Sequence, residues 1–274
     1  MKVSIVTINY NNRDGLNKTI KSVVNQTTKD FEYIVIDGGS TDGSLDIIKT
    51  YSNRLNYWVS EPDRGVYHAM NKGIDVALGE YCIFMNSGDI FYDNTTLADI
   101  IPELDGSDVI LGDTLESDGS IKFHKEEMTF KTLYNGSISH QSSFIKTSLL
   151  KKYHYDETLK IVSDWKFFLQ TLIIDNCSYK GISQFISIYD VSGITYSNMD
   201  KFIEERTHVI NKMFPYRIVQ DIDELLKGVT WEDKLYLGIK KSKYHKLIYR
   251  LNVMFLKTFS FMKKSWISDF PNSI

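Results

Sequence analysis

Val3–Ile8 is a mostly β-branched run of the kind a fully buried strand requires, and Asn9–Asp14 breaks it with turn formers. Leu16, Ile20, Val23 and Val24 then recur at helical spacing up to Asn25, and Phe31–Ile36 is a second buried run. Gly38–Gly43 (GGSTDG) reads as a turn delivering a helix start, which Leu45–Tyr51 continues. Tyr57–Ser60 predicts a short strand, Gly65–Leu78 a helix, and Tyr81–Met85 a buried strand that stops at Asn86-Ser87-Gly88-Asp89. Strands alternating with helices in this way predict an α/β fold with a mainly parallel central sheet flanked by helices.

Further along, Asp108–Gly112 predicts a strand ending at Asp113, and Ser142–Ile145 another that follows His140-Gln141. Lys160–Ile174 predicts a helix around Asp164 and Trp165, and beyond about Asp200 the pattern is helical throughout. Lys201–Phe214 is one amphipathic helix; Tyr244–Met262 is another, with Tyr244, Ile248, Leu251, Phe255 and Met262 on one stripe. Lys243, Arg250, Lys257 and Lys264 recur every seven residues beside that stripe. The expected organisation is a main domain over residues 1–215 and a basic, amphipathic helical extension over 216–274.

Charge sharpens this division. The formal net charge of −3 conceals nine Lys/Arg and no Asp/Glu between Lys234 and Ser268, leaving 23 basic against 35 acidic side chains elsewhere. An acidic body excludes a nucleic-acid-binding profile for the main domain, and the basic tail suits an anionic membrane surface. The apolar stretch of MKVSIVTINYNN is too short for a signal peptide, and no segment reaches the 18 apolar residues of a membrane span. The expectation is a cytoplasmic protein, peripheral on the cytosolic face of the plasma membrane. Cys82 and Cys177 lack metal-ligand spacing and read as reduced thiols.

In a sheet of this kind, ligands sit beyond the carboxyl ends of the strands. Thr7 and Asn9, Asp37 and Gly38, Glu61 and Asp63, and Asn86 and Asp89 stand at those ends, unusually polar for positions so near a core. Asp37 before a Gly-Gly turn can accept from the imide N–H of uracil, or bond its own turn backbone. Asp89 can supply a carboxylate to Mg or Mn while a diphosphate supplies further oxygens, or can simply close a turn. Asp164, opening a helix, suits either a general base or a helix-start charge. His140 and Gln141 can bond sugar or phosphate, or satisfy buried backbone. Three chemistries are excluded by their missing loops: the Gly-x-Gly-x-x-Gly turn, the Gly-x-x-x-x-Gly-Lys-Ser/Thr loop and the Gly-x-Ser-x-Gly elbow are all absent.

Three ordered motifs, Val3–Asn9 (VSIVTIN), Tyr33–Gly43 (YIVIDGGSTDG) and Gly79–Asp89 (GEYCIFMNSGD), resemble the family 2 inverting glycosyltransferases with the GT-A nucleotide-sugar-binding fold. Ser60–Gly73 (SEPDRGVYHAMNKG) looks like the branch that builds colanic acid and related bacterial exopolysaccharides. The resemblance covers roughly residues 1–215. It implies a nucleotide-sugar donor, UDP-linked by preference, and a lipid-linked or free glycan acceptor. By matching position it implies donor contacts from Thr7, Asn9, Asp37, Asp63, Asn71 and Lys72 and from the turn Asn86, Ser87 and Gly88. It makes Asp89 the ligand of Mn2+ or Mg2+, Asp164 the catalytic base, and His140 and Gln141 acceptor-side or phosphate-side groups. Two positions depart from the family pattern. The Asp-x-Asp metal motif is reduced to Asn86-Ser87-Gly88-Asp89, and Met70 stands where many relatives carry Arg, leaving Lys72 or Arg64 to substitute. A non-catalytic nucleotide- or glycan-binding relative is the alternative.

Overall fold

The computed structural model describes residues 1–191 and 198–226. The chain alternates β1 (Val3–Asn9), α1 (Arg13–Val24), β2 (Phe31–Asp37), α2 (Ser44–Thr50), β3 (Tyr57–Ser60), α3 (Val66–Val76) and β4 (Tyr81–Phe84). All seven elements fall where the hydrophobic pattern puts them, within a few residues at each end. β1 and β2 are buried nearly throughout, so their residues serve both faces of the sheet. Val3 and Ile5 join Leu16 and Ile20 of α1 in one core, while Val6 faces α3.

The second half adds β5 (Ile90–Phe91), α4 (Thr96–Ile100), β6 (Val109–Glu116), β7 (Ile121–Lys122), α5 (Phe130–Asn135), β8 (Ser143–Lys146) and α6 (Thr147–Tyr153). Then come α7 (Ser163–Phe168), which runs on as a π-helical turn over Leu169–Ile174, and β9 (Tyr179–Tyr189). The sheet order is β3-β2-β1-β4-β8-β6-β9-β5, with β7 beside β6. β3, β2, β1 and β4 are mutually parallel; β8 runs against β4 and β6, and β9 is parallel to β6. The sheet is therefore mainly parallel, with reversed strands β8, β7 and β5.

The short elements β5, α4, β7, α5 and α6 are unassigned in the sequence reading, and two further parts of this half depart from it. β9, eleven residues long, is a full strand at a place where none was expected. The helix expected from Lys160 begins only at Ser163, and the backbone N–H groups of residues 160 and 161 before it are bonded to Glu205. Residues Met1–Ile210 form one compact unit, which takes in most of α8 (Met199–Met213). α9 (Tyr216–Leu226) belongs to the second unit, Asn211–Ile274. The expected tail helix Tyr244–Met262 lies outside the described residues. Among those described, no helix is long and apolar enough to cross a membrane.

Gly73 lets α3 lie directly on β1, since a Cβ there would stand 2.4 Å from Cγ1 of Val6. Gly73→Ala is expected to destabilise the protein by about 1–3 kcal/mol through overpacking, despite the better helix propensity of alanine. Urea unfolding followed by circular dichroism measures this, and an unchanged midpoint would contradict the contact.

Candidate active site

The carboxyl ends of β1, β2, β3 and β4 meet in a polar knot. Asp37, at the end of β2, is fully buried; it accepts from Asn9 Nδ2 at 2.7 Å, Ser40 Oγ at 2.6 Å, Ser40 N at 3.0 Å and Ser60 Oγ at 2.6 Å. Burial opposes its ionisation, but these donors outweigh it and hold the carboxyl below its ordinary range. Ser87 Oγ donates to Asn9 Oδ1 at 2.8 Å, which attaches the turn after β4 to the same knot.

Above the knot opens a cleft of about 810 Å³, within the size range of small-molecule sites. Asn9, Asp63, Asn86, Ser87, Asp89, His140, Gln141 and Asp164 all line it, so eight of the sequence-predicted positions share one wall. The other five do not line it. Asp37 lies beneath the floor with its oxygens already engaged. Thr7 is fully buried, bonded to the Met85 carbonyl at 2.7 Å and to Tyr33 Oη at 3.0 Å. Asn71 spends its amide on the backbone of Tyr155, donating to its carbonyl and accepting from its N–H, both at 2.9 Å. Lys72 pairs with Glu61 at 2.7 Å. In this structure the polar atoms of Thr7, Asn71 and Lys72 are engaged with the scaffold. Gly88 contributes conformation. Its φ of +110° is open to glycine, and a Cβ there would meet Asp190 Oδ2 at 2.9 Å.

Asp190 is the residue the sequence reading missed. It follows β9 directly, lines the cleft, and donates its backbone N–H to Asp89 Oδ1 at 3.0 Å. The turn Asn86–Asp89 therefore acquires a second carboxylate from the far end of the domain. Asp89 itself is only 4% exposed, and burial pushes its carboxyl up to about 6 against the opposing Asp190 N–H, the nearby His140 and the Gln141 side chain. Asn86 Oδ1 is buried with no hydrogen-bond partner. Two carboxylates and an orphaned amide oxygen are a hard-oxygen donor set, which suits Mg2+ or Mn2+.

Asp164, the second residue of α7, faces the same cleft. Its Oδ1 accepts from Tyr67 Oη at 3.1 Å and its own following backbone N–H at 2.9 Å, and its Oδ2 lies 3.1 Å from His140 Nδ1. Burial and the Asp164 charge push the Tyr67 phenol well above its usual value, so Tyr67 stays a donor. On its other side, His140 Nε2 meets Asn86 Nδ2 at 3.0 Å. An amide nitrogen only donates and an ionised carboxylate only accepts, so His140 carries its proton on Nδ1. One chain of hydrogen bonds thus joins the turn after β4 to Asp164. Tyr10, 67% exposed, and Lys160 also line the cleft, and neither was singled out in the sequence; among the described residues Lys160 is the only Lys or Arg lining it.

The sign of the Asp89 shift gives a test. Its folded pKa lies above the unfolded carboxylate value of about 3.9, so its burial costs nothing below about 4, costs more as pH rises from about 4 to about 6, and costs a constant amount above that. Asp89→Asn is expected to stabilise the ligand-free protein at pH 8, by roughly 3 kcal/mol at most, and to be nearly neutral at pH 3.5. Melting temperatures of both proteins across that range measure the difference; an equal effect at both ends would remove the buried charge.

Residues 4–170 match the model of the family described as Glycosyl transferase family 2. A "PGL/p-HBAD biosynthesis glycosyltransferase" of Mycobacterium tuberculosis is 31% identical over 171 residues, covering 60% of this chain and 67% of the relative. A second M. tuberculosis protein, named an uncharacterized glycosyltransferase, is 33% identical over 207 residues, or 70% of this chain and 76% of the relative. The cholesterol galactosyltransferase of Borreliella burgdorferi is 37% identical over 114 residues, 40% of this chain and 31% of its own. Among solved structures, S. aureus TarS 1-349 in complex with UDP-GlcNAc superposes with a TM-score of 0.59 at 25% identity, covering 69% of this chain. The chain spans 58% of that TarS structure. Its architecture is that of the GT-A glycosyltransferases such as TarS. The chain belongs to glycosyl transferase family 2, a family of glycosyltransferase enzymes.

Proposed function

We propose that this protein is an inverting glycosyltransferase that moves a sugar from a nucleotide-sugar donor, UDP-linked by preference, to a glycan or polyprenyl-diphosphate-linked acceptor. The observation that carries this reading is that Asp164, oriented by His140 and Tyr67, opens on the same cleft as the acidic pair Asp89 and Asp190. Asp164 removes the proton from the acceptor hydroxyl. The freed oxygen attacks the anomeric carbon from the side opposite the nucleotide, the bond to the diphosphate oxygen breaks, and configuration inverts. Asp89 and Asp190, with Asn86 Oδ1, would hold Mn2+ or Mg2+. When bound, the ion supplies Lewis-acid screening of the diphosphate charge.

Several features support the donor assignment. Tyr10 is an exposed aromatic at the cleft wall next to Gly38, suited to stack on a nucleobase, with the Asp37 knot fixing the turn beneath it. The complex of TarS with UDP-GlcNAc favours a UDP-sugar. A relative named for cholesterol as its acceptor favours a lipid-linked acceptor here. The wider reading is a role in bacterial surface polysaccharide synthesis of the colanic acid type. Residues 216–274 then form an extension whose basic stretch rests on the anionic cytosolic leaflet, next to a lipid-linked acceptor.

Asp164→Asn is expected to lower turnover by about 10²–10⁴ while calorimetry shows UDP binding as in the wild type. A panel of UDP-, GDP- and dTDP-sugars with Mn2+, read first by thermal shift and then by nucleotide release, identifies the donor. Near-normal turnover of Asp164→Asn would remove that residue from the base role.

A further inference from the structure

Glu205 and Arg206 of α8 lie beyond residue 170, where the family match ends, yet they hold both segments that carry the proposed base and its partner. The Glu205 carboxylate is 5% exposed; its Oε1 accepts the N–H of Lys160 at 2.9 Å and its Oε2 that of Ile161 at 2.9 Å. These amides open the three-residue approach to α7, where Asp164 is the second residue, and both side chains line the cleft.

Arg206 acts on the other side of the base. Its guanidinium lies over the Trp165 ring at 4.1 Å, one residue past Asp164. It also donates to the carbonyls of Leu133, Tyr134 and Gly136 at 2.9, 2.7 and 3.2 Å. Those carbonyls end α5, where a helix leaves its acceptors unpaired, and the chain from α5 leads straight to His140. Trp165 Nε1 donates to the same Leu133 carbonyl at 2.8 Å, closing a ring of contacts around the Asp164–His140 pair.

A carboxylate spent on two consecutive loop amides and a guanidinium spent on three carbonyls fix backbone positions. Neither side chain forms an ion pair through these contacts, so what they fix is backbone position; the Arg206 charge also lies within electrostatic reach of Asp164. We propose that Glu205 and Arg206 are positioning residues for catalysis: through Lys160–Ile161 and Trp165 they hold Asp164 at the height and angle that an acceptor hydroxyl requires, without touching the donor. The inference rests on the reading of Asp164 as the base. A misplacement of about 1 Å in such a group is enough to cost roughly 10²-fold in rate.

The test uses the full chain carrying Glu205→Gln, Arg206→Lys or Trp165→Phe, beside Asp164→Asn. Glu205→Gln sets an amide N–H against a loop N–H, and Arg206→Lys loses the flat guanidinium that lies over Trp165. Trp165→Phe deletes the indole donor without altering α8. Three readouts are taken: calorimetry with UDP or GDP, whichever binds; the ¹⁵N signals of the His140 imidazole; and nucleotide release from UDP-GlcNAc, UDP-glucose and UDP-galactose. The expected result is nucleotide affinity within about twofold of the wild type, His140 signals moved toward those of Asp164→Asn, and kcat down roughly 10²-fold with donor KM held. Unchanged His140 signals would overturn the proposal, as would a fall in nucleotide affinity parallel to turnover, which marks general loss of structure. If Asp164→Asn itself turns over normally, the base reading has failed. If Asp164→Asn is inactive while Arg206→Lys and Glu205→Gln match the wild type, only the positioning role has.

Discussion

Asp37 is a carboxylate buried where four strand ends converge, and an ionised group in that position must be given donors or it will not stay charged. Its donors come from Asn9 on β1, from Ser40 in the turn after β2 and from Ser60 at the end of β3; Ser87 after β4 joins through Asn9. Satisfying one charge therefore sets the mutual heights of the four parallel strands' ends. The cleft follows from that. The loops leaving these strands have only one rim to occupy, and their polar side chains face whatever fills it. A substitution that starved Asp37 of donors would loosen the floor of the site before it touched any ligand.

The parallel half of the fold was legible because its strands are buried on both faces and read as continuous apolar runs, with turn residues marking each exit. β9 was not, for the opposite reason. Its burial alternates irregularly along Tyr179–Tyr189, and bulges shift its register against β6 near Leu111 and Asp113. A strand with that pattern has neither the period of two nor an apolar run to announce it. Missing β9 meant missing Asp190, since only the strand's path across the sheet brings residue 190 beside residue 89. The late start of α7 has a similar origin. Helical periodicity extends back to Lys160, but the amides of residues 160 and 161 are held from outside, by a buried carboxylate of α8 that is remote in sequence.

The site residues divide along the same line. Polarity at the end of a buried strand predicts that a side chain has a polar task, and leaves open whether the task faces inward or outward. Asn9, Asn86 and Asp89 reach the cleft. Thr7 and Asn71, equally polar, turn to neighbouring backbone: Asn71 pairs with both the N–H and the carbonyl of Tyr155, as a strand would. Burial alone does not separate the two groups, for Asn9 and Asp89 at the cleft are no more exposed than Asn71. The separation comes from the partners across the fold, which local sequence does not contain.

The neutral Asn86 in place of an acid has a consequence for the rest of the cleft. As an amide it donates to His140 Nε2, which leaves the Nδ1 proton of His140 for Asp164. A carboxylate at position 86 would instead accept from Nε2, and His140 could satisfy it only as a doubly protonated cation or by giving up its bond to Asp164. A second carboxylate reaches this turn from elsewhere in the chain: Asp190, just after β9, donates its backbone N–H to Asp89 Oδ1. The turn after β4 thus meets a carboxylate from the end of β9 at Asp89, while its first residue, Asn86, keeps Nδ1 of the imidazole turned to Asp164.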